Sequence, residues 1–215
     1  MASSLLITVD GASSAEQIDA WLPVLITGGF QRATLFHAVR EDAAAEDALD
    51  ALRPLLDRLA VTLSAHGVET DVALKRGDLV KWLTALAELR HSDVILTSRA
   101  LVSGVPDYLE DLVAAAPAPV LVLPAGTPSR HARLFSAARI LHGSDDADLA
   151  AAAAAIVNAP LVPWHSEQQP DWPDASIVVA GPAPTGNRLA DLLGRAACPI
   201  LLFPTRVLGV PARAS

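Results

Sequence analysis

The chain has 215 residues, 52% hydrophobic and 19% charged, and its 16 Lys+Arg against 24 Asp+Glu give a formal net charge of −8. This apolar content excludes a disordered chain and suffices for a sizeable core. The acidic balance, without a basic stripe interleaved with aromatic residues, argues against a nucleic-acid partner, because such binding depends on clustered Lys and Arg.

Cysteine usage and the length of the apolar runs indicate the compartment. Cys198 is the sole cysteine, so an internal disulfide and a Cys-rich metal site are excluded. It lies beside Pro199 at the entry to an apolar segment, where a packing role is expected. The apolar runs are too short for a secretory signal or a transmembrane helix. We therefore expect a cytoplasmic protein without a membrane partner.

The first 126 residues alternate strand patterns with helix patterns. Ser13 and Glu16 have capping-box spacing and predict the start of the first helix, and Asp78 is predicted to cap a later one. Apolar and polar residues alternate over 68–75, which is typical of a half-exposed edge strand. Strands are predicted at 5–9, 34–39, 68–75, 94–97 and 120–123, with helices between them. Strands separated by helices favour an α/β fold with a parallel sheet.

A shorter second unit follows a linker predicted at 125–136. Its strands are predicted at 139–142, 161–164, 177–180 and 200–203. Residues 197–204 have the same pattern as 116–124, in which a proline precedes an apolar strand. Compared with the first unit, it lacks a second helix, a third strand and a third helix. Its second strand should therefore lie at a sheet edge, where Pro160 and Pro163 are tolerated. The predicted domains are 1–126 and 137–206.

Five short motifs occur in order along the first unit. They are Val9-Asp10-Gly11, His37-Ala38-Val39, Arg76-Gly77-Asp78, Ser92-Asp93-Val94-Ile95-Leu96 and Ala116-Pro117-Ala118-Pro119-Val120. A degenerate copy of the first strand and its turn follows at 139–146. Together these segments resemble the universal stress protein family in tandem form. The resemblance implies a doubly wound parallel sheet of order 3-2-1-4-5 in the first lobe and a reduced 2-1-4-5 version in the second. It also implies an intramolecular pseudo-dimer, in which the lobes are joined through their fifth strands.

ATP-binding members of that family carry G-x2-G-x9-G-[S/T] after the fourth strand and an acid at the end of the first strand. The glycines and a helix N-terminus let backbone amides hold the phosphates. The first lobe keeps Asp10 and Gly11, but its Gly-Ser position falls on Pro106-Asp107 and its loop after Ser98 is short. Proline lacks an N–H and a carboxylate repels phosphate, so we expect no ATP binding in the family's manner.

The second lobe keeps the spacing of that loop without its residue types. Gly181, Pro184 and Gly194-Arg195 stand in register, and His142 takes the acid position. The candidate ligand-binding residues are therefore Asp10 and Gly11 at the cleft of the first lobe, and His142, Gly181, Gly194 and Arg195 at the remnant cleft of the second. Each of the three polar residues also has a purely structural interpretation. Asp10 is an ordinary turn residue beside a glycine, His142 is a hydrogen-bonded polar residue at a strand end, and Arg195 is a solvent-exposed residue at a helix start.

Known catalytic motifs of this kind of fold do not occur in the sequence. The first strand is not followed by G-x-G-x-x-G, and there is no Walker motif and no G-x-S-x-G elbow. We therefore expect a protein that is not an enzyme and uses no cofactor or metal. The resemblance implies a role in stress response through a protein partner or self-association, with a homodimer left open. The alternative is a small-molecule or nucleotide sensor that uses the remnant cleft, with Arg195 as its anion clamp.

Overall fold

The computed structural model describes residues 3–39, 45–104, 107–128, 138–141, 147–157, 161–164, 177–181, 193, 198–204 and 206–208. Helices and strands alternate through most of them. In chain order they are β1 (Ser4–Thr8), α1 (Ala12–Ile26), β2 (Arg32–Val39), α2 (Ala45–Ala65), β3 (Glu69–Arg76), α3 (Leu79–Leu89), β4 (Val94–Ser98), α4 (Arg99–Gly104), α5 (Tyr108–Ala115), β5 (Val120–Leu123), β6 (Ala138–Leu141), α6 (Ala147–Ile156), β7 (Leu161–Trp164), β8 (Ile177–Ala180) and β9 (Ile200–Leu202).

The described strands form one nine-stranded sheet in the order β3-β2-β1-β4-β5-β9-β8-β6-β7. Neighbouring strands are parallel throughout except at one place. There β5 pairs with β9 in antiparallel orientation, with Leu121 opposite Leu201. The predicted α/β class with a mostly parallel sheet is confirmed.

Helices cover both faces of this sheet. Alternate residues of each central strand enter two separate apolar clusters, as the two-residue period of a strand requires. One cluster packs the sheet against α1, α2 and α6, and includes Leu5, Ile7, Ile18, Leu22, Leu35, Leu56, Leu96 and Leu149. The other packs it against α3, α4 and α5, and includes Leu6, Phe36, Leu83, Ile95, Leu101, Leu112 and Cys198. Each such buried side chain contributes about 1.5 to 3 kcal/mol.

The two outermost strands carry the features expected of sheet edges. β3 consists of exposed and half-buried residues only and lies at one end of the sheet, in agreement with the edge strand predicted over 68–75. β7 lies at the other end and contains Pro163, which lacks the N–H that a central strand would need. Pro160 lies outside the described residues.

The predicted capping box at the start of α1 is wrong. The helix begins at Ala12, and its N-cap is Gly11, which makes no side-chain capping bond. Gly11 has φ 151° and ψ −175°, a conformation that costs other residues strain. By contrast, Asp78 caps α3 as predicted, and its carboxylate accepts a hydrogen bond from the Lys81 N–H at 2.7 Å.

The residue before β4 fixes the beginning of β1. Asp93 Oδ2 accepts hydrogen bonds from the Ser3 N–H at 2.7 Å, the Ser3 hydroxyl at 3.1 Å and the Ser4 N–H at 2.9 Å. The Asp93 N–H donates to the Ser4 carbonyl at 2.9 Å. These bonds align the two strands at the centre of the first five-strand segment.

Candidate functional site

The carboxyl ends of β1 and β4 form the edge where an open α/β sheet binds ligands. The chain leaves β1 towards β2 on one side and returns to β4 on the other, which makes this pair a topological switch point. Asp10 and Gly11 follow β1 directly; Asp10 is exposed and Gly11 half-buried. The structure therefore places these two candidate residues at the ligand-binding edge of the sheet.

The segment after β4 is a helix and not the loop expected from the sequence. α4 begins at Arg99, immediately after Ser98, the last residue of β4. The Ala100 N–H donates to Gln17 Oε1 at 3.1 Å, and the Leu101 N–H donates to Ser98 Oγ at 3.2 Å. Free first-turn amides are the groups with which a helix holds phosphate. Here the protein's own side chains occupy two of them.

Gln17 joins three elements at this edge. Its Nε2 donates to the Leu123 carbonyl at 3.2 Å and to the carbonyl of Pro124, while its Oε1 accepts from α4. Beside it, the buried Ser98 hydroxyl donates to the Ser14 hydroxyl at 3.1 Å. These contacts tie α1 to α4 and to the end of β5, and they close the space between those elements with protein groups.

Tyr108 fills the same edge from the opposite face of the sheet. Its side chain is 2% exposed, and its hydroxyl donates to Thr97 Oγ1 at 3.4 Å. Burial raises the pKa of Tyr108 to about 12; hydrogen bonding with Thr97 and Thr8 opposes the rise, and the Asp10 carboxylate adds to it. The phenol is therefore neutral and lies against Thr97 of β4 and Thr8 of β1.

The charges around the start of α5 are unfavourable to an anion. Asp107, in the Gly-Ser position of the family's loop, is exposed and left-handed with φ 59°, and it makes no side-chain capping bond. Glu110 and Asp111 lie in the first turn of α5. The Arg99 guanidinium, the cation nearest in sequence, donates to the Leu193 carbonyl. Carboxylates at a helix N-terminus already satisfy its dipole and repel phosphate. Pro106 lies outside the described residues.

His37 connects the carboxyl ends of β2 and β1. Its Nδ1 lies 2.7 Å from the Val9 carbonyl, a distance at which a protonated Nδ1 donates. The residue is 3% exposed, and its Nε2 has no hydrogen-bond partner in the part of the chain that the structure describes. The His37-Ala38-Val39 motif thus includes a buried contact that positions the strand before Asp10.

The candidate ligand-binding residues lie at two opposite edges of the sheet. Gly181 is half-buried and directly follows β8. Because β9 is antiparallel to β5 and parallel to β8, the carboxyl end of β8 lies at the edge of the sheet opposite to Asp10 and Gly11. Asp10 and Gly11 therefore lie at one edge of the sheet and Gly181 at the other, so they belong to two separate candidate sites. His142, Gly194 and Arg195 lie outside the described residues.

Sequence reasoning missed the residues that fill the edge. Gln17 and Ser14 lie in a helix whose apolar face was recognised, but no local pattern separates a buried polar side chain from a solvated one. Tyr108 is the sole tyrosine, and its position at the first residue of α5 was the available signal.

Two kinds of site are absent from the described part of the chain. Its His, Cys, Asp and Glu side chains form no group of three that could hold a metal ion. None of its helices is both long enough and apolar enough to cross a bilayer. Cys198 is buried in the second apolar cluster, in agreement with a packing role.

Comparisons with known proteins identify the fold. No family model and no curated protein matches the sequence. A universal stress protein from Archaeoglobus fulgidus superposes with a TM-score of 0.61 at 12% identity, covering 93% of this chain and 95% of that one. A putative universal stress protein from one Pseudomonas aeruginosa strain superposes with a TM-score of 0.58 at 15% identity. A functionally unknown protein from another strain has the same TM-score at 16% identity. Each comparison covers 97% of this chain and 95% of the other. The chain therefore has the fold of the universal stress proteins over nearly its whole length.

Proposed function

We propose that this chain is a non-catalytic protein of the universal stress type that acts in a stress response through a protein partner or a second copy of itself. In this proposal it does not hold ATP in the family's manner. The two lobes, 1–126 and 137–206, keep the scaffold of the family, and their surfaces carry the function. No cofactor takes part.

One observation carries the proposal: the amides of Ala100 and Leu101 are bonded to Gln17 and Ser98. A triphosphate at this edge would have to displace both bonds and approach the carboxylates of Asp107, Glu110 and Asp111. Each displaced bond takes a donor from a side chain that is half-buried (Gln17) or buried (Ser98), and a buried polar group left unpaired costs about 1 to 3 kcal/mol. The neutral, buried Tyr108 supports the same conclusion, because it takes up space beside the acid that the family uses for the adenosine.

Calorimetric titration with ATP and Mg²⁺ tests the ligand part directly. We expect no heat of binding and no thermal shift for the natural chain. A saturable micromolar affinity that Asp10→Ala or Asp107→Lys alters would refute this part of the proposal. Asp57→Ala, an exposed change on α2, is the control for an unspecific effect of charge.

A complementation experiment tests the surface role. A strain lacking the gene is exposed to stress and supplied with the natural chain or with Asp10→Ala. If the protein acts through its surfaces, both chains restore survival equally. Loss of rescue by Asp10→Ala, with the variant still folded, would show that the cleft is needed.

The second candidate function is a small-molecule or nucleotide sensor. It is favoured by Gly181, which is half-buried and directly follows the buried strand β8. His142, Gly194 and Arg195 belong to this proposal by sequence register. A metabolite panel should then contain a compound that raises the melting temperature of the natural chain but not of Arg195→Ala. No stabilisation across the panel would count against the sensor.

A further inference from the structure

We infer that the outer edge of β3 is a homodimer interface, in which β3 of one copy pairs antiparallel with β3 of a second copy about a twofold axis at Val72. Only the biological purpose of such a dimer rests on the proposed function, in which the protein acts through its surfaces. Its physical basis is the strand itself, and it stands whether or not the cleft binds a nucleotide.

The backbone of β3 leaves one side open for such pairing. β3 is eight residues long and is the last strand of the sheet, with no strand on its outer side among the described residues. The Glu69 N–H donates to the Gln31 carbonyl, and the Gly77 N–H donates to the Val39 carbonyl, each at 2.9 Å. Odd-numbered residues therefore point their amides towards β2. The amides and carbonyls of Thr70, Val72 and Leu74 consequently point outwards, whereas the Arg76 carbonyl accepts from Trp82 Nε1.

This alternation restricts the register of a symmetric antiparallel pair. Outward-pointing residues must face each other; with the twofold axis at Val72, Val72 pairs with itself and Thr70 pairs with Leu74 of the second copy. Glu69 then lies opposite Lys75 of the second copy, and Lys75 opposite Glu69. These two pairs occupy non-hydrogen-bonded positions, where side chains approach most closely.

The charges along β3 select an antiparallel second copy as the partner. Acidic residues occupy the beginning of the strand and basic residues its end. A parallel copy in register would place like charges opposite one another, whereas the antiparallel copy pairs them with opposite charges. Moving the twofold to Asp71 would oppose two carboxylates. Moving it to Ala73 would pair Lys75 with Asp71, which is already bridged to Arg90 at 3.1 Å.

Exposed apolar side chains provide the second observation. The large hydrophobic residues exposed in the described part of the chain are Val61 (69%), Val72 (39%) and Leu89 (72%). They lie on α2, β3 and α3, which follow one another in the chain, and Arg90, the residue after Leu89, is bridged to Asp71 of β3 at 3.1 Å. A specific dimer buries about 1,200 to 2,000 Å², more than one strand offers, so α2 and α3 contribute to the interface.

Helix α3 is held firmly against the strand. Trp82 Nε1 donates to the Arg76 carbonyl at 2.8 Å, and the Lys75 ammonium lies 5.0 Å from the centre of the Trp82 ring. The edge is thus preorganised, which lowers the entropy that association costs.

Sedimentation velocity of the full-length protein across a concentration series tests the interface. We expect a monomer–dimer equilibrium that Lys75→Glu and Glu69→Lys each weaken roughly tenfold, because each creates two like-charged pairs. The double exchange Glu69→Lys with Lys75→Glu should restore the natural affinity. Glu16→Lys, an exposed change on α1, is the matched control and should leave the affinity unchanged.

A disulfide cross-link tests the position of the twofold axis. The Cα atoms of a self-paired Val72 would lie about 5.5 Å apart, within the range of a disulfide. Val72→Cys should therefore form covalent dimers on mild oxidation, whereas Glu16→Cys should not; Cys198 is buried. Circular dichroism and melting curves establish that each variant is folded.

Two results would overturn the inference. One is a natural chain that sediments as a monomer at every soluble concentration. The other is a dimer that Lys75→Glu and Val72→Lys leave unchanged, since it must use another surface. Because no nucleotide is present, these results are independent of the ATP titration, and the two proposals fail separately.

Discussion

The amide of Ala100, in the first turn of α4, is hydrogen-bonded to the side-chain oxygen of Gln17 on α1 at 3.1 Å. A side chain of the protein thus takes the part that a phosphate oxygen plays at other helix starts. The same Gln17 amide donates to the end of β5. The edge of the sheet is consequently bound together internally, which makes the residue a structural element of the site.

Replacing Gln17 by alanine should lower the free energy of unfolding by roughly 1 to 3 kcal/mol, because it leaves the Ala100 N–H and the Leu123 carbonyl unpaired. Urea unfolding measures the change. Gln31→Ala removes an exposed glutamine side chain and should have almost no effect. Equal stability of the two variants would contradict the bracing role of Gln17.

Tyr108 should make the protein less stable at alkaline pH. The unfolded phenol ionises near 10.0, whereas burial raises the pKa in the folded chain to about 12. Below the pKa of the unfolded phenol, Tyr108 is protonated in both the folded and the unfolded state, and its contribution to the free energy of unfolding is fully present. As the pH rises towards the folded pKa, the unfolded state loses its proton first, so stability falls by roughly 2 to 3 kcal/mol.

Tyr108→Phe should remove this alkaline loss. The chain has a single tyrosine, so tyrosinate absorption reports its ionisation directly. Unfolding curves of both chains between neutral and alkaline pH provide the comparison. A natural chain whose phenol titrates at the ordinary value would contradict the buried position.

Asp93 is expected to anchor the start of β1. Asp93→Ala removes the acceptor of three hydrogen bonds and should destabilise the protein by roughly 1 to 3 kcal/mol or more. Asp93→Asn keeps an oxygen but loses the charge, and should have an intermediate effect. Thermal unfolding measures the series, with Asp57→Ala as the exposed control. Identical melting temperatures for both Asp93 variants and the natural chain would argue against the anchor.

The pairing of β5 with β9 predicts that residues 1–126 do not fold independently. Cutting the chain after Gly126 exposes the edge of β5, whose residues are all buried in the intact protein. We expect the fragment to aggregate or to pair with itself, as light scattering would reveal. In the full chain, Leu201→Lys should prevent folding, because it places a charge opposite Leu121. A soluble, folded monomer of residues 1–126 would contradict this prediction.

Much of the fold was predictable because its signals are local. The alternation over 68–75 identified β3 as an edge strand, and Asp78 marked the start of α3. The six-residue α4 was not predicted, since it is too short to show a helical period; its cap, Ser98, which accepts from the Leu101 N–H, was not recognised. The start of α1 was misplaced because Ser13 and Glu16 have capping-box spacing, whereas tertiary contacts hold the neighbouring Ser14.

The site was predictable only in part. Asp10 and Gly11 are recognisable because a turn after a buried strand has a local signature. The role of Gln17 depends on elements more than 80 residues away, and no local pattern carries that information. The separation of Gly181 from Asp10 follows from one antiparallel pairing, which reverses every strand beyond it.

The antiparallel pairing of β5 with β9 also determines how the protein unfolds. Leu121 and Leu201 face each other with no exposed surface, so the sheet cannot loosen on one side of this pair without uncovering apolar groups on the other. Calorimetry should accordingly record a single melting event whose measured enthalpy equals the van't Hoff value. Heat damage in this protein would then be all-or-none for each molecule.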